Sequence, residues 1–365
     1  MSTQQHEVPV VVVGGGQAGL ATSYHLSRQG VEHVVLDAAA RAGDSWRRRW
    51  DSLRLFTPAR VDHLDGLDLG RRGPVPTKDE FADYLERYEH EFDLPVRHGV
   101  RVRRLASDGA GFRLEASDGE HRAEAVVVAM GGLQVPRVPA VAGDLRPGIR
   151  TLHSADYRNP SQLADGSVLV VGVGNSGAEI AVEAARDHET WLAGTETGHL
   201  PFRVDGWFGR NLGTRVVGLV FRHVLTIDTP VGRRAQPVLQ SRADLLVRER
   251  PRDLRRAGVH RVPRIEAARD GLPVAADGTV LDVGTVVWCT GYRTGLEEWI
   301  DLPVLDERGR VRQVRGVTEV PGLYSVGQDF QYAKASEQIP GVSRDARYVA
   351  EHLARQRRGA PVAAG

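Results

Sequence analysis

The sequence predicts an α/β fold in which two similarly built domains share one chain. Three observations lead to this prediction. The stretch from Val10 to Asp37 has the pattern of a strand, a glycine turn, a helix and a second strand, and the pattern returns from Val168 onward. The second set of glycines follows the first at a constant interval. A chain of 365 residues, 41% of them hydrophobic, is long enough for two such domains with full cores.

The first glycine turn has the spacing of a dinucleotide-binding, Rossmann-like motif. Its first glycine permits a tight turn, its second lets a pyrophosphate approach the backbone, and its third lets the helix pack on the sheet. Asp37 stands at the tip of the second strand, where a carboxylate accepts hydrogen bonds from ribose hydroxyls and repels a 2′-phosphate. A glycine turn before a helix is sometimes only a turn, and the repeat further on favours ligand binding. The predicted binding residues are Gly14, Gly16, Gln17, Ala18, Gly19 and Asp37.

The second glycine turn predicts a second nucleotide. Its residues are Gly172, Gly174, Asn175, Ser176 and Gly177. The strand that follows ends without a carboxylate at its tip, because Thr195 stands there and Glu196 comes one position later. A preference for an unphosphorylated ribose is therefore not indicated at this site.

The segments between the two turns predict supporting structure. A loop that contains Gly43, Ser45 and Trp46 has no regular period, and we weigh two interpretations of it equally. In one, it lies along a flat ligand; in the other, Trp46 and Trp50 pack and Arg47 to Arg49 form a solvated edge. Thr77 and Glu80 form a capping box that begins an amphipathic helix, which runs until Pro95.

Strands are predicted next, around Val100 to Val102, at Phe112 to Ala116 and at Ala125 to Ala129, before a small-residue turn at Gly131. Pro136 and Pro139 then forbid regular structure and suit a crossover between domains.

The C-terminal half repeats this order of strands and small-residue turns after an insertion. Residues 205–260 are irregular and rich in arginine, with Trp207, Phe208 and an apolar patch, as in a substrate-facing, oligomeric or surface insertion. A strand from Val286 to Cys289 leads into a second small-residue turn at Thr290 and Gly291. A buried strand in PGLYSVGQDF and a helix from about Ser343 to Gln356 close the fold, and the helix N-terminus suits negative charge.

Composition excludes several classes of function. The 48 basic and 47 acidic side chains nearly cancel, so no strong field recruits nucleic acid or an anionic membrane. No apolar run spans a bilayer, and the N-terminus lacks the features of a signal peptide. The single Cys289 excludes an internal disulfide and a CxxC redox pair, so we expect a reduced, cytoplasmic compartment. The 13 histidines are scattered, and no metal site or His/Asp/Ser catalytic pattern is predicted.

The ordered motifs of the chain resemble those of a known family. They are GGGQAG, GDSWRRRWDSLRLFTP, AMGGLQVPRVP, LHSADYRNP, VVGVGNSGAEIA, VVWCTGYR and GLYSVGQDF. The chain resembles the class B flavin monooxygenases over nearly its whole length. The likeness is closest to the short bacterial and plant auxin-forming branch of flavin-containing monooxygenases. It implies an NAD(P)H domain inserted in an FAD domain.

The resemblance implies FAD in the first turn and NADPH in the second. In such enzymes the nicotinamide reduces the flavin, O2 adds at flavin C4a, and one oxygen atom of the peroxide passes to the substrate. Ser45 and Trp46 would lie near the flavin ring. The cofactor-binding set that this implies is completed by Val102, Ala129, Gly131, Gly327, Asp329, Thr195, Thr290 and Gly291. No catalytic acid or base is required, so none is assigned.

Several positions depart from the family pattern. Met130 replaces a threonine, Phe56 stands where a histidine is common, and Thr195 stands where an arginine often grips the NADPH 2′-phosphate. Arg203 and Arg210 are the candidates to replace that arginine. NADPH is therefore the expected coenzyme, with NADH as the alternative. His153 and Tyr157 match half of a family fingerprint, but the phenylalanine of that fingerprint is absent.

The resulting hypothesis is a monooxygenase that acts on a small organic substrate with O2. The reaction is heteroatom oxidation, Baeyer-Villiger insertion or oxidative decarboxylation. An NAD(P)H-dependent reductase of a small acceptor and a non-catalytic nucleotide sensor remain alternatives, and so does a homodimer through the insertion. The predicted divisions are 1–160 and 286–356 for the FAD domain, 161–285 for the NAD(P)H domain with its insertion at 205–260, and a disordered tail at 357–365.

Overall fold

The first parallel sheet begins with the first glycine motif. A computed structural model of the chain describes residues 5–70, 75–204, 206–241 and 245–359. In order across the sheet, the strands are Leu323–Ser325, Ala125–Val128, Val10–Val13, Val34–Asp37 and Val96–His98. The central strands are buried along their whole length, as their valine runs predict. This arrangement confirms the predicted α/β fold.

Two helices from opposite ends of the chain cover one face of this sheet. Gln17–Arg28 follows the first glycine turn, and Ile339–Arg357 is the last helix described. They pack on each other through buried aliphatic side chains. The last helix begins four residues before the predicted Ser343, because Pro340 suits the first turn of a helix. The sheet thus unites residues more than 300 positions apart.

The second parallel sheet begins with the second glycine motif. Its strands, in order, are Arg150–His153, Thr285–Trp288, Val168–Val171, Thr190–Ala193 and His260–Val262. Helices Asn175–Ala184 and Pro251–Arg256 lie against it. The divisions predicted at 160/161 and 285/286 therefore need correction. Both cut off strands that hydrogen-bond within this sheet, since strand identity alone does not tell which sheet a strand joins.

A third sheet of mixed pairing lies beside the first. Its strands are Gln5–Glu7, Gly119–Ala123, Phe112–Ala116, Val102–Ser107 and Ile300–Asp301. The strand expected around Val100 to Val102 begins at Val102 instead.

The capping box at Thr77 is confirmed, and it begins helix Lys78–Glu91. The smaller elements are the helix Asp44–Arg47, the ribbon Ile265–Arg269 with Leu272–Ala275, and the 3-10 turns Ala140–Asp144, Pro160–Gln162 and Leu296–Glu298.

The two crossovers between the parallel sheets run side by side. Val135–Pro136 pairs in antiparallel fashion with Tyr292–Arg293. Pro136 was expected to exclude regular structure here, yet a proline is tolerated in so short a strand at a sheet edge. The chain thus leaves one domain and returns to it along a single two-stranded connection.

The insertion is helical rather than irregular. Its described helices are a continuous stretch made of Gly209–Gly213, Thr214–Leu219 and Val220–Val224, followed by Pro230–Ser241 and Pro251–Arg256. Scattered glycines and arginines hid this helical period in the sequence. Among the described helices, none is long and apolar enough to cross a bilayer. Most of the tail predicted at 357–365 lies outside the described residues, and the last helix ends at Arg357.

Candidate active site

The first glycine turn is tightly packed at Gly14 and Gly19 and open at Gly16. Gly14 has φ +106°, and a Cβ there would lie 3.0 Å from the Ala129 carbonyl oxygen. A Cβ at Gly19 would lie 1.8 Å from the Gly14 carbonyl oxygen. A Cβ at Gly16 would meet nothing within 4 Å. The open position lies at the N-terminus of a 12-residue helix, which is where a pyrophosphate fits.

Asp37 lies beside this turn, as the sequence predicts. A Cβ at Gly15 would come within 2.8 Å of the Asp37 side chain, so the carboxylate borders the backbone that would hold a ribose. His98 Nδ1 lies 3.4 Å from Asp37 Oδ2, and His98 Nε2 lies 3.0 Å from Glu89. These contacts hold the acid at the strand tip.

The second turn reproduces the first. Gly172 has φ +112°, and a Cβ there would lie 2.2 Å from the Cys289 carbonyl oxygen. A Cβ at Gly177 would lie 1.8 Å from the Gly172 carbonyl oxygen, whereas Gly174 again faces open space. Ser176, in the first turn of the helix, is half-buried. The residues at this turn therefore fit a second pyrophosphate.

The Asn175 side chain, predicted to bind cofactor, is engaged within the protein. Its Nδ2 donates to the Leu245 carbonyl at 3.1 Å, and its Oδ1 accepts from the Val247 amide at 2.8 Å. The side chain thus fastens the end of the insertion to the second turn. One of its two Nδ2 hydrogens is therefore already used within the protein.

We use the name flavin end for the part of the first site where the family resemblance implies the flavin ring, next to the segment that contains Gly327, Asp329 and Glu337. A Cβ at Gly327 would lie 2.9 Å from Ala18, and Gln17 Nε2 donates to the Glu337 carbonyl at 3.3 Å. Asp329 accepts a hydrogen bond from the buried Lys334 ammonium at 3.1 Å, and Glu337 lies 2.9 Å from the same nitrogen. Gly327 thus lies against Ala18, and Asp329 is linked to Gln17 through Lys334 and Glu337. That these residues bind FAD stays a prediction.

The two small-residue turns stand at the carboxyl ends of central strands. Gly131 has φ +70° and Gly291 has φ +81°, and neither would meet an atom through a Cβ. Thr290 donates to the Arg137 carbonyl, so its hydroxyl joins the two crossovers. Val102, in contrast, begins a strand of the third sheet and packs against the hydrophobic core beneath the first.

The loop that contains Ser45 and Trp46 is partly a packing element. Trp46 meets the Phe81 ring edge-on at 5.0 Å, and Trp50 is buried. Arg47 does not form a solvated edge, because its guanidinium donates to Asp83 at 2.8 Å and Glu86 at 2.6 Å. Its carboxylate partners on the next helix could not be found from the local sequence.

His153 and Tyr157 hold structure rather than a reacting group. His153 Nε2 lies 3.1 Å from the Gly291 carbonyl oxygen, and burial lowers the pKa of the imidazole. The Tyr157 hydroxyl donates to Glu183 at 2.9 Å inside the second domain. His153 therefore braces the turn at Gly291, and Tyr157 is anchored to the helix Asn175–Ala184.

A cavity lies beside the second turn and the end of the strand that follows it. Its walls include Leu246 and Leu254, and its charged groups are Glu196, Arg255 and Arg261. Arg261 Nη2 donates to the Gly194 carbonyl at 2.8 Å, and burial lowers the pKa of this guanidinium. Its Nε is buried and has no hydrogen-bond partner among the described residues.

Of the two arginines expected to replace the one missing at Thr195, Arg203 does not line this cavity. Arg203 Nη1 lies 3.5 Å from Asp253, and the side chain of Arg210 lies outside the described residues. Arg255 and Arg261 stand in the cavity instead. Sequence reasoning missed them because they lie far along the chain, on the insertion helix and on the next strand of the sheet.

Two further groups were not anticipated. Asp62 is buried, accepts a hydrogen bond from Thr57, and has its pKa raised by burial to about 8. His6, Asp118 and His121 bring possible metal-ligand atoms within 4.8 Å of one another. The two imidazoles stack at an angle of 24°, so their lone pairs run side by side instead of converging on one ion. The His121–Asp118 contact of 2.9 Å is better explained as a local link between the hairpin turn and the strand Gly119–Ala123 that follows it.

The comparisons extend over nearly the whole chain. A family model described as pyridine nucleotide-disulphide oxidoreductase matches residues 11–196. An uncharacterised CzcO-like oxidoreductase of Geobacillus kaustophilus is 38% identical, covering 94% of this chain and 98% of its own. Indole-3-pyruvate monooxygenase YUCCA1 of Oryza sativa is 29% identical, with coverage of 87% and 86%. The solved flavin-containing monooxygenase of Stenotrophomonas maltophilia is 31% identical, with coverage of 96% and 99% and a TM-score of 0.77.

The two kinds of glycine in the second turn predict opposite outcomes on substitution. Gly174→Ala should leave the free energy of unfolding unchanged but weaken coenzyme binding, because the methyl group enters the open space where phosphate lies. Gly177→Ala should lower the free energy of unfolding by about 1–3 kcal/mol, because the helix must move off the Gly172 carbonyl. Urea unfolding and calorimetric titration with NADP+ measure the two effects. Wild-type affinity in the Gly174 variant would refute the assignment.

The buried acid predicts a pH-dependent stability. Burial in the folded protein favours the protonated form of Asp62. The protonated carboxyl therefore does not destabilise the fold below its ordinary pKa of 3.8, and the fold becomes progressively less stable as the pH rises from there to about 8. Asp62→Asn should therefore exceed wild type in unfolding free energy by roughly 2–4 kcal/mol near neutral pH and by little near pH 4. Urea unfolding across this range measures it, with the exposed Asp68→Asn as control. A difference that does not change with pH would contradict the prediction.

Proposed function

The chain belongs to the class B flavin monooxygenase family, and we propose that it is a single-component enzyme that uses FAD, NADPH and O2 to oxygenate a small organic substrate. The observation that carries this proposal is the pair of glycine turns. Each is closed by packing at two positions and open at Gly16 or Gly174, where a phosphate would lie. Two such turns support two dinucleotides on one chain.

The residues of the first turn fit FAD. Gly16 leaves space at the helix N-terminus, Asp37 borders the ribose position, and the loop at Gly327 closes on Ala18. Bound FAD would supply the capacity to accept a hydride and to activate O2. The protein would hold the cofactor, exclude water and position the substrate, so no side chain needs to act as an acid or base.

The residues of the second turn fit NADPH. Gly174 leaves space for the pyrophosphate, and the cavity next to it offers apolar walls for adenine. Arg255 and Arg261 would bind the 2′-phosphate, although Glu196 in the same cavity favours a free ribose hydroxyl. The cavity carries two positive guanidiniums and one negative carboxylate, so its net charge favours the 2′-phosphate of NADPH. We therefore propose NADPH over NADH.

The substrate would be oxygenated at a heteroatom, by Baeyer-Villiger insertion or by oxidative decarboxylation. A reductase of some other small acceptor is the second candidate, because the matching family model is named for pyridine nucleotide-disulphide oxidoreductases. A dithiol mechanism has no support in this chain. Its one cysteine, Cys289, is partly buried, and desolvation raises the pKa of its thiol to about 12.

Absorption spectroscopy tests the proposed function. The purified protein should be yellow, and NADPH should bleach its visible band without added substrate. When the reduced protein is mixed with O2 in a stopped-flow instrument, a transient species should appear before the oxidised flavin spectrum returns. Return of the oxidised spectrum without any transient species would favour the reductase. A colourless protein that cannot be loaded with FAD would contradict both enzymatic proposals.

The cavity arginine predicts coenzyme selectivity. Arg261→Ala should weaken binding of NADP+ and of 2′-AMP by about 10- to 100-fold, because a charge-assisted contact to phosphate is lost. Binding of NAD+ and FAD content should not change. Calorimetric titration gives these constants, and Arg256→Ala on the neighbouring helix is the control, since Arg256 does not line the cavity. Equal losses for NADP+ and NAD+ would show that Arg261 acts only through folding.

A further inference from the structure

The insertion presents two different faces. We use the name helical arm for its described residues 206–241. One side of the arm is fastened to the loop at the flavin end. The Ile227 amide donates to the Tyr332 carbonyl at 2.9 Å, the Lys334 amide donates to the Leu225 carbonyl at 3.0 Å, and Gln240 Nε2 donates to the Asp329 carbonyl at 3.0 Å. The arm is therefore held in place along this side.

The other side of the arm exposes large apolar side chains. Trp207 is 75% exposed and Leu219 is 59% exposed. Phe208, Leu212 and Val216 continue the row at spacings of four residues, as the face of one helix does. The inward side of this helix is buried at Gly209 and Gly213, whose missing side chains let the Arg203 backbone and the Phe202 ring approach. So large an apolar row is uncommon on a protein surface that meets only water.

Positive charge accompanies the apolar row. Between Gly206 and Ile227 the sequence contains no aspartate or glutamate. Arg215, Arg222 and Arg234 are exposed, and none of them forms an ion pair with a carboxylate among the described residues. The near-zero net charge of the whole chain argued against attraction to an anionic membrane, but it hides this local excess of cations.

We propose that the helical arm docks on the surface of an anionic lipid bilayer. Tryptophan, phenylalanine and leucine on one face with arginine at its edges form the pattern of a helix that lies in the interfacial plane. The apolar row would enter the boundary between headgroups and acyl chains, and the arginines would meet lipid phosphates. A second copy of the chain fits this face less well, because a two-fold contact would bring the same arginines together.

Vesicle sedimentation tests the docking. The FAD-loaded protein should pellet with phosphatidylcholine vesicles that contain about a third of phosphatidylglycerol, and should pellet far less with phosphatidylcholine alone. High salt should reduce the binding. The double variant Arg215→Gln with Arg222→Gln should bind on the order of 10- to 30-fold more weakly. Trp207→Ser with Leu219→Ser should also lose binding, with flavin content unchanged.

Matched control variants distinguish binding through the helical arm from non-specific adsorption to vesicles. Arg186→Gln with Arg256→Gln removes two exposed charges elsewhere, and Val138→Ser with Val314→Ser removes two exposed apolar side chains elsewhere. Both controls should bind vesicles as the wild type does. Equal binding to neutral and anionic vesicles would overturn the proposal. So would a dimer, seen by light scattering, that Trp207→Ser with Leu219→Ser converts to monomer, because a second copy would then cover the arm.

Discussion

The contact between a helix and the glycine turn beneath it sets the geometry of both halves of the molecule. In each half the third glycine of the motif lies so close to the carbonyl of the first that a Cβ would stand 1.8 Å from that oxygen. This contact draws the helix N-terminus down onto the carboxyl end of the central strand. The amides of the helix then face the open middle glycine, at Gly16 and at Gly174. One steric constraint therefore shapes both of the proposed phosphate sites.

The same constraint explains why the neighbouring strands end in small residues. Gly14 packs on the Ala129 carbonyl, and Gly172 packs on the Cys289 carbonyl. The chain that leaves each neighbouring strand must then turn away from the site, through Gly131 or Gly291 at positive φ. These turns lead into the paired crossovers between the parallel sheets. The connection between domains is thus a consequence of how tightly each glycine turn is packed.

Local patterns allowed much of this to be predicted. The glycine motifs, the buried valine strands and the capping box at Thr77 each depend on neighbours within a few residues, and the structure has them where the sequence indicated. The sheet membership of Thr285–Trp288 was not predictable in this way, because a buried valine strand looks the same in either sheet. Arg261 was missed for a similar reason. Its place in the cavity depends on which strand lies beside Thr190–Ala193, which is a matter of topology.

The helical arm links the surface of the molecule to the flavin end of the first site. Backbone hydrogen bonds join the arm to residues 332–335, and within the same segment the buried Lys334 is paired with Asp329 and Glu337. Only the ammonium is buried, and displacing it from its two partly exposed carboxylate partners is costly because it would leave a buried charge unpaired. A force on the arm therefore acts on Asp329 and on Gln17, which contacts the Glu337 carbonyl. Docking of the arm and the shape of the flavin end are for this reason expected to be coupled.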